Sequence, residues 1–294
     1  MTYSIVALDA ETGRLGVAVQ SHFFNVGSVV PAALPGVGAV ATQSMPNLQV
    51  KPRALAMLQQ GRHAEDVVRE LAANDPDAGW RQFAVVDAQG RAAAYTGAKC
   101  MADAGHLVGD GYSVQANIMR SPDVWPAMAA AFEASRGDDL AWRLLATLDA
   151  AEAAGGDLRG RQSAAILVVP AEGGEVDRLV DLRVEDAIDP LAELRRLLAL
   201  NEAYAYGNAA DAALTVGDLD GAARGFVQAM EAAPQVVEMR FWAGLSLMDA
   251  GEETRGLALL REAVATEPVW LELLRRLPAE DAPSAARAVT LLID

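Results

Sequence analysis

The sequence predicts a four-layer α/β sandwich over residues 1–186, with two β-sheets lying between layers of helices, and a small all-α domain over residues 187–294. Three observations predict it. Strand-like runs occur in adjacent pairs, stretches with helical spacing separate these pairs, and every segment after Asp189-Pro190 has helical spacing. Because a sheet with two apolar faces must be covered on both, this order favours helices, sheet, sheet and helices.

The adjacent strand pairs are two hairpins. The first joins Tyr3–Leu8 to Leu15–Val19 through a turn cluster at residues 9–13. The second joins Gln82–Asp87 to Arg91–Thr96. A doubly wound α/β fold would instead alternate strands with helices, so the hairpins favour the sandwich.

The other elements of this domain follow from apolar runs and helical spacing. The run from Ala164 to Val169 is continuous, which predicts a strand buried on both faces. The remaining predicted strands are Val26–Val30, Val37–Thr42, Gln162–Val169 and Arg178–Val184, and the predicted helices are Arg53–Gln60, Ala64–Ala73, Asp123–Ser135 and Asp138–Ala154.

The C-terminal part contains an internal repeat of about 34 residues, the tetratricopeptide period. The matched pairs are Gly217/Gly251, Ala222/Gly256, Phe226/Leu260, Ala229/Ala263 and Pro234/Pro268. Small residues let paired helices approach, a bulky residue fills the groove between them, and proline ends the second helix. We therefore predict a tetratricopeptide-like array, capped by residues 190–206 and 269–292. Such an array could dock a protein or peptide partner, or it could be a plain extension of the first domain.

Composition restricts the classes of partner. The 294 residues carry 24 Lys+Arg against 40 Asp+Glu, a net charge of −16, which opposes nucleic acid and anionic membranes. No apolar run is long enough to span a bilayer, and the N-terminal segment does not resemble a signal peptide. Cys100 is the only cysteine, so we expect a reducing, cytoplasmic setting with neither disulfide nor thiolate zinc site. With three histidines in the chain, we expect no metal and no other cofactor.

Thr2 is the candidate nucleophile. If Met1 is removed, Thr2 provides a hydroxyl and an α-amine of pKa about 7.7–8.0, and the amine can act as the general base. The simpler interpretation of its position is a threonine on the edge of a strand.

Polar residues at strand ends form the next candidate group. They are Ser21, His22, Thr42, Gln43 and Asn47. Their side chains could supply hydroxyl and amide donors to an oxyanion in a shared cleft. Alternatively, they satisfy backbone groups where the strands end.

Two further groups lie later in the chain. Thr96, Cys100 and Asn117 lie near His106, and a thiol with a histidine base is one interpretation, while a small buried cysteine is the other. The loop after Gly155-Gly156 gathers charged and polar side chains that could hold a carboxylate, either its own or that of a ligand. Its candidates are Asp157, Arg159, Gln162 and Ser163, with Arg161 as the second guanidinium.

Several segments of the first 200 residues form a recognisable set. They are Thr2-Tyr3-Ser4-Ile5-Val6-Ala7, Gly16-Val17-Ala18-Val19 with Ser21, Gly36-Val37-Gly38-Ala39-Val40-Ala41-Thr42-Gln43, Arg81-Gln82 with Asp87, Thr96-Gly97 with Cys100, and Ala154-Gly155-Gly156-Asp157 continuing through Arg159-Gly160 to Gln162-Ser163-Ala164-Ala165. Together these segments resemble the domain of unknown function 1028 family over about residues 1–200. That family is grouped with the N-terminal-nucleophile (Ntn) hydrolases, which cleave amide bonds on an αββα sandwich. The resemblance implies this fold and Thr2 as the nucleophile. It also implies a cleft lined by Ser21, Thr42, Gln43, Asp157, Arg159 and Ser163.

Three functions remain open at this point. The first is a hydrolase acting on a small amide or peptide. The second is a non-catalytic binding protein that keeps the sandwich cleft and docks a partner through the helical repeats. The third is a scaffold subunit, and a homo-oligomer is compatible with all three.

Overall fold

The structure is a computed structural model that describes residues 2–293, so the predicted removal of Met1 concerns a residue outside the described range. The described chain is a mixed α/β protein with two antiparallel sheets and a helical C-terminal region. One sheet has the strand order β10-β9-β2-β1-β8-β7 and the other β3-β4-β5-β6. The strands are β1 (Thr2–Leu8), β2 (Leu15–Ser21), β3 (Pro31–Leu34), β4 (Gly38–Ser44), β5 (Arg81–Asp87), β6 (Ala92–Thr96), β7 (Gly105–Gly109), β8 (Tyr112–Asn117), β9 (Ser163–Val169) and β10 (Val180–Val184).

The helices lie between and after these strands. They are α1 (Val26–Val29), α2 (Val50–Gln59), α3 (Ala64–Ala73), α4 (Val124–Ala134), α5 (Leu140–Ala153), α6 (Pro190–Thr215), α7 (Leu219–Ala232), α8 (Val237–Asp249), α9 (Glu253–Thr266), α10 (Val269–Arg276) and α11 (Ala285–Ile293), with a 3₁₀ turn at Ala78–Trp80. Within residues 2–293, no helix combines the length and the apolar character needed to cross a membrane.

Three apolar clusters hold the first part of the chain together. Helices α4 and α5 cover one face of the six-stranded sheet through residues such as Phe132 and Leu144. Helices α2 and α3 cover the outer face of the four-stranded sheet through residues such as Val67. Val19 and Ala41 belong to a third cluster, between the two sheets. Strand alternation explains how one sheet supplies two clusters, because successive side chains point to opposite faces.

Both predicted hairpins are confirmed. Strand β1 pairs with β2 and β5 pairs with β6, each antiparallel. The strand predicted at Val26–Val30 was wrong, because Val26–Val29 is a short helix. Val26 and Val30 are both buried and lie four residues apart, a spacing that puts them on one helical face.

Three strands were not predicted: β3, β7 and β8. Strand β8 carries Ser113, Gln115 and Asn117 at alternate positions, all 0% exposed. Polar residues with this spacing are typical of a strand face in water, so their burial could not be inferred from the strand alone.

The chain divides into two compact units after Leu198. Leu191, Leu194 and Leu198 of α6 belong to the core of the first unit. The boundary predicted between residues 186 and 187 lies before them, in the segment that joins β10 to α6.

The second unit is helical from Ala199 onward. Four members of the repeat lie at matching places in α7 and α9, where Phe226 corresponds to Leu260 and Ala229 to Ala263, all buried. Helices α8 and α9 approach closely at Gly256, where a Cβ atom would collide with the backbone carbonyl of Gly244.

Candidate functional site

Thr2 lies in the middle of the six-stranded sheet. Strand β1 is flanked by β2 and β8, and Thr2 is paired with Ser21 on one side and Asn117 on the other. The side chain is 5% exposed, and its Oγ1 lies 3.0 Å from Oγ of Ser21. Val6, which shares a strand face with Thr2, belongs to the core between the sheets, so the Thr2 hydroxyl faces the opposite sheet.

Two side-chain amides hold the backbone carbonyl of Thr2. Gln43 Nε2 donates to this oxygen at 3.2 Å and Asn117 Nδ2 donates at 3.4 Å. The same two nitrogens donate to Oε1 of Gln82, each at 2.8 Å. Strand ends from both sheets therefore converge on the first described residue of β1.

Gln82 is the centre of this arrangement. Its Nε2 donates to Thr96 Oγ1 at 2.9 Å, to the Gly105 carbonyl at 3.1 Å and to the Ala116 carbonyl at 2.8 Å. Together with its two acceptor contacts, this amide takes part in five hydrogen bonds while 0% exposed. Because all its donors and acceptors have hydrogen-bond partners, this buried amide holds β5 against the strands that it contacts.

The network continues along β1 and β8, away from Thr2. Ser4 donates to Oε1 of Gln43 at 2.6 Å and accepts from Nε2 of Gln115 at 2.6 Å. Ser113 donates to Oε1 of Gln115 at 3.1 Å. The candidate residues proposed from sequence omitted Ser4, Gln82 and Gln115. The alternate spacing of Thr2 with Ser4 and of residues 113, 115 and 117 indicates shared strand faces, but it does not distinguish a buried face from a solvated one.

A cleft of ≈ 320 Å³ lies beside this network. Two of its lining residues, Ser44 and Ile118, directly follow Gln43 and Asn117 and have positive φ angles of 71° and 55°. A left-handed conformation is unfavourable for a non-glycine residue and more so for a β-branched one, and such strain concentrates at functional sites. Its described lining residues are Ser44, Met45, Asp77, Trp80, Arg81, Lys99, Met101, Asn117 and Ile118.

The two cations of the cleft have different partners. Arg81 is bonded to Asp75 at 3.0 Å and lies 3.5 Å from Asp77. Lys99 places its ammonium 5.6 Å from the centre of the Trp80 ring, an arrangement that favours a cation–π interaction. The hydrogen bond from Asn47, assisted by Arg81, lowers the pKa of the Asp75 carboxyl against the opposing effect of burial.

Asn47 therefore supports the cleft indirectly. Its Nδ2 donates to Asp75 at 3.0 Å, on the carboxylate that also holds Arg81. Asn47, predicted as a cleft residue, therefore affects the cleft only by holding Asp75, which in turn positions the Arg81 guanidinium.

The loop at 155–163 organises the end of β2. Asp157 is 1% exposed and accepts from the backbone nitrogens of His22 at 3.2 Å and Arg159 at 2.9 Å. The Arg159 guanidinium lies 3.3 Å from the same carboxylate, and Arg161 is bonded to Asp189 at 2.9 Å. Both guanidinium groups thus face carboxylates of the chain itself.

Ser163 and Gln162 also contact the chain. Ser163 Oγ donates to the Phe23 carbonyl at 2.5 Å and accepts from the Val26 backbone nitrogen at 3.0 Å. Gln162 donates to Asp186 at 3.1 Å. Ser163 is paired with Ser21 across β9 and β2, which places this loop next to the Thr2 pair.

Two predicted groupings are not brought together. Thr42 lies on the strand face opposite Gln43, toward helices α2 and α3, and its buried Oγ1 has no partner within residues 2–293.

Cys100 donates to the Arg81 carbonyl at 3.3 Å, whereas His106 Nδ1 lies 2.8 Å from Thr96 Oγ1. Desolvation lowers the pKa of His106. The thiol and the imidazole therefore have separate partners.

Gln20 is the other exceptional polar residue. It is 0% exposed, and neither polar atom of its amide has a partner among the described residues. It lies on the face of β2 opposite Ser21, so it is not part of the Thr2 network.

In the described part of the chain, no three His, Cys, Asp or Glu side chains are grouped so as to hold a metal ion.

Comparison with known proteins gives one matching family, and the match covers most of the first compact unit, which ends at Leu198. The profile of the family of unknown function DUF1028 matches residues 2–194. The crystal structure of protein SPO2555 from Silicibacter pomeroyi, of the same family, is similar to this chain with a TM-score of 0.61 and 32% sequence identity, over 67% of this chain and 87% of that one. No curated protein matches the sequence. With two thirds of its length matched by the profile, the chain belongs to the DUF1028 family.

Proposed function

We propose that the protein is an amidohydrolase of the N-terminal-nucleophile type, with Thr2 as its nucleophile and a small amide or peptide as its substrate. The observation that carries the proposal is the convergence of strand-end polar groups from both sheets on Thr2, next to a cleft. The succession of helices, sheet, sheet and helices supports an αββα sandwich of this class. The single cysteine fits a cytoplasmic setting.

The chemistry needs a free α-amine on Thr2. The amine takes the hydroxyl proton as Oγ1 attacks the amide carbon, and the proton then passes to the departing nitrogen. Water hydrolyses the resulting ester and regenerates the hydroxyl. Ser21, whose Oγ lies 3.0 Å from Oγ1 of Thr2, orients the nucleophile.

The test combines intact mass with substitution. Protein whose mass shows Thr2 to be N-terminal is assayed against a panel of small amides and peptides. We expect Thr2→Ala to abolish turnover, and Thr2→Ser to retain part of it because the hydroxyl remains. Thr42→Ala is the matched control, since Thr42 is also a buried strand-end threonine but faces the other way.

Two results would contradict the mechanism. One is turnover by protein that retains Met1, because base and nucleophile belong to the same residue. The other is equal loss of turnover in Thr2→Ala and Thr42→Ala with both variants folded, since only a general effect on the sheet would produce it.

A non-catalytic binding role is the second candidate, and exposed apolar side chains favour it. Phe23, Phe24 and Leu158 are 53%, 60% and 52% exposed. Phe23 and Phe24 follow the end of β2, and Leu158 follows Asp157, which accepts a hydrogen bond from the backbone nitrogen of His22. Exposed apolar residues in proximity are typical of a docking surface. In this case the C-terminal helices would form a tetratricopeptide-like array for a partner, and Thr2→Ala would leave partner binding unchanged.

A further inference from the structure

The cleft beside Thr2 combines one unpaired cation, an apolar wall and one unsatisfied acceptor. Among the described residues that line it, the cations are Arg81 and Lys99. Arg81 is neutralised by Asp75 and Asp77. Lys99 has no carboxylate partner within residues 2–293, where the ion pairs all involve other residues.

This cation is unusual in its chain. The protein has a net charge of −16, and its only other lysine, Lys51, donates to the Val29 carbonyl at 2.6 Å. Lys99 instead stands over Trp80 with its stem next to Gly79, which places its ammonium at the cleft wall. A charge held there without a counter-ion attracts a ligand anion in an otherwise anionic field.

The apolar part of the cleft lies around this charge. Trp80, Met45 and Met101 line it and are 41%, 56% and 57% exposed. Methionine side chains adapt to varied apolar shapes, and a tryptophan face accepts both an apolar group and a cation. The wall therefore suits one apolar side chain of moderate size.

The third feature is Oδ1 of Asn117. Asn117 is 0% exposed and lines the cleft, and its Oδ1 has no partner within the described residues although its Nδ2 is doubly bonded. A buried carbonyl oxygen without a donor is costly, so a ligand N–H at this atom is favoured. An amide substrate supplies such an N–H.

We propose that the cleft binds N-acylated amino acids and short peptides through a free carboxylate at Lys99, an apolar side chain on the Trp80 wall and an amide N–H at Asn117. This inference rests on the proposed function for its description of the ligand as a substrate. The binding preference that it predicts does not depend on turnover.

The test therefore measures binding in the full-length Thr2→Ala protein. N-acetylleucine and its uncharged analogue N-acetylleucinamide are titrated at millimolar concentration while the Trp80 indole resonance is followed. We expect both to shift this resonance and the carboxylate to bind about fivefold more tightly, the upper range for an exposed ion pair. Lys99→Met should remove the preference, and Lys99→Arg should keep it.

Arg178→Met is the control for net charge, because Arg178 lies in the exposed turn between β9 and β10 and should leave the preference intact. Equal binding of the two probes, a preference that survives Lys99→Met, or an unshifted Trp80 resonance would overturn the inference. Carboxylate-selective binding without turnover in protein that carries Thr2 would refute the proposed function alone. Turnover of neutral amides without the preference would refute this inference alone.

Discussion

Gln20 and Gln82 allow one substitution to be tested in two opposite settings. Both are glutamines in strands, and both are 0% exposed. The Gln82 amide takes part in five hydrogen bonds, whereas neither polar atom of Gln20 has a partner among the described residues. Replacing each with methionine keeps the size of the side chain and removes only the amide. We expect opposite effects on the free energy of unfolding.

The magnitudes follow from the hydrogen bonds. The five hydrogen bonds of Gln82 share two amide hydrogens and two carbonyl lone pairs, so Gln82→Met loses the equivalent of about four, each with a net value of about 0.5–1.5 kcal/mol, and several partners keep a second bond. The expected destabilisation is therefore about 3–5 kcal/mol. Gln20→Met removes a desolvated amide without losing a bond, so a stabilisation of about 1–2 kcal/mol is expected.

Native-state hydrogen exchange is the suitable assay. The slowest amides of β1 and β8 report the opening free energy of the first unit, whether or not the C-terminal helices unfold with it. Destabilisation by both substitutions to a similar extent would refute the reasoning, because it would mean that size and burial decide the outcome rather than hydrogen bonding.

Two other predictions concern single residues around the site. Desolvation lowers the pKa of His106, so below the unfolded value of 6.5 the unfolded chain binds more protons than the folded one. Unfolding free energy should therefore fall as the pH is lowered from 7 to 5, and His106→Gln should reduce that slope in denaturant titrations; an unchanged slope would contradict it. Ser44→Gly should raise stability by about 0.5–1 kcal/mol, since glycine tolerates the φ of 71°, whereas Ser135→Gly, at a φ of −93°, should lower it. Thermal unfolding of both variants distinguishes them, and a stabilising Ser135→Gly would refute the backbone argument.

Elements with a local signal were predictable from the sequence. The hairpin from β1 to β2 carries its turn in residues 9–13, and α3 was predicted with the bounds Ala64–Ala73 that the structure has. Strand β8 has no such signal, because its alternate polar residues resemble a solvated face. They are buried because Gln43 and Gln82, from the other sheet, satisfy them or their neighbours across the interior. Such partners are distant in the chain, and one sequence does not indicate which distant strands face each other.

The candidate site likewise has parts that a local sequence pattern predicts and parts that depend on distant strands. The proximity of Ser21 to Thr2 follows from the hairpin register, and the sequence placed both at the right strand ends. The placement of Thr42 beside Gln43 in one cleft was inconsistent with strand alternation, which sends neighbours to opposite faces. The role of Gln82 depends on atoms from four other strands, so no local pattern predicts it.

The layer between the two sheets is apolar at one end and polar at the end that contains Thr2, where the candidate site lies. Far from Thr2 the facing residues of β5 are Ala84 and Val86, while the residue nearest Thr2 is Gln82. A polar interior is stable only when its members are satisfied, and within this network the exception is Oδ1 of Asn117, a residue that also lines the cleft. A ligand N–H at that oxygen would complete the network. The proposed binding therefore predicts that a ligand that donates to Asn117 raises the opening free energy of β1 and β8 by mass action.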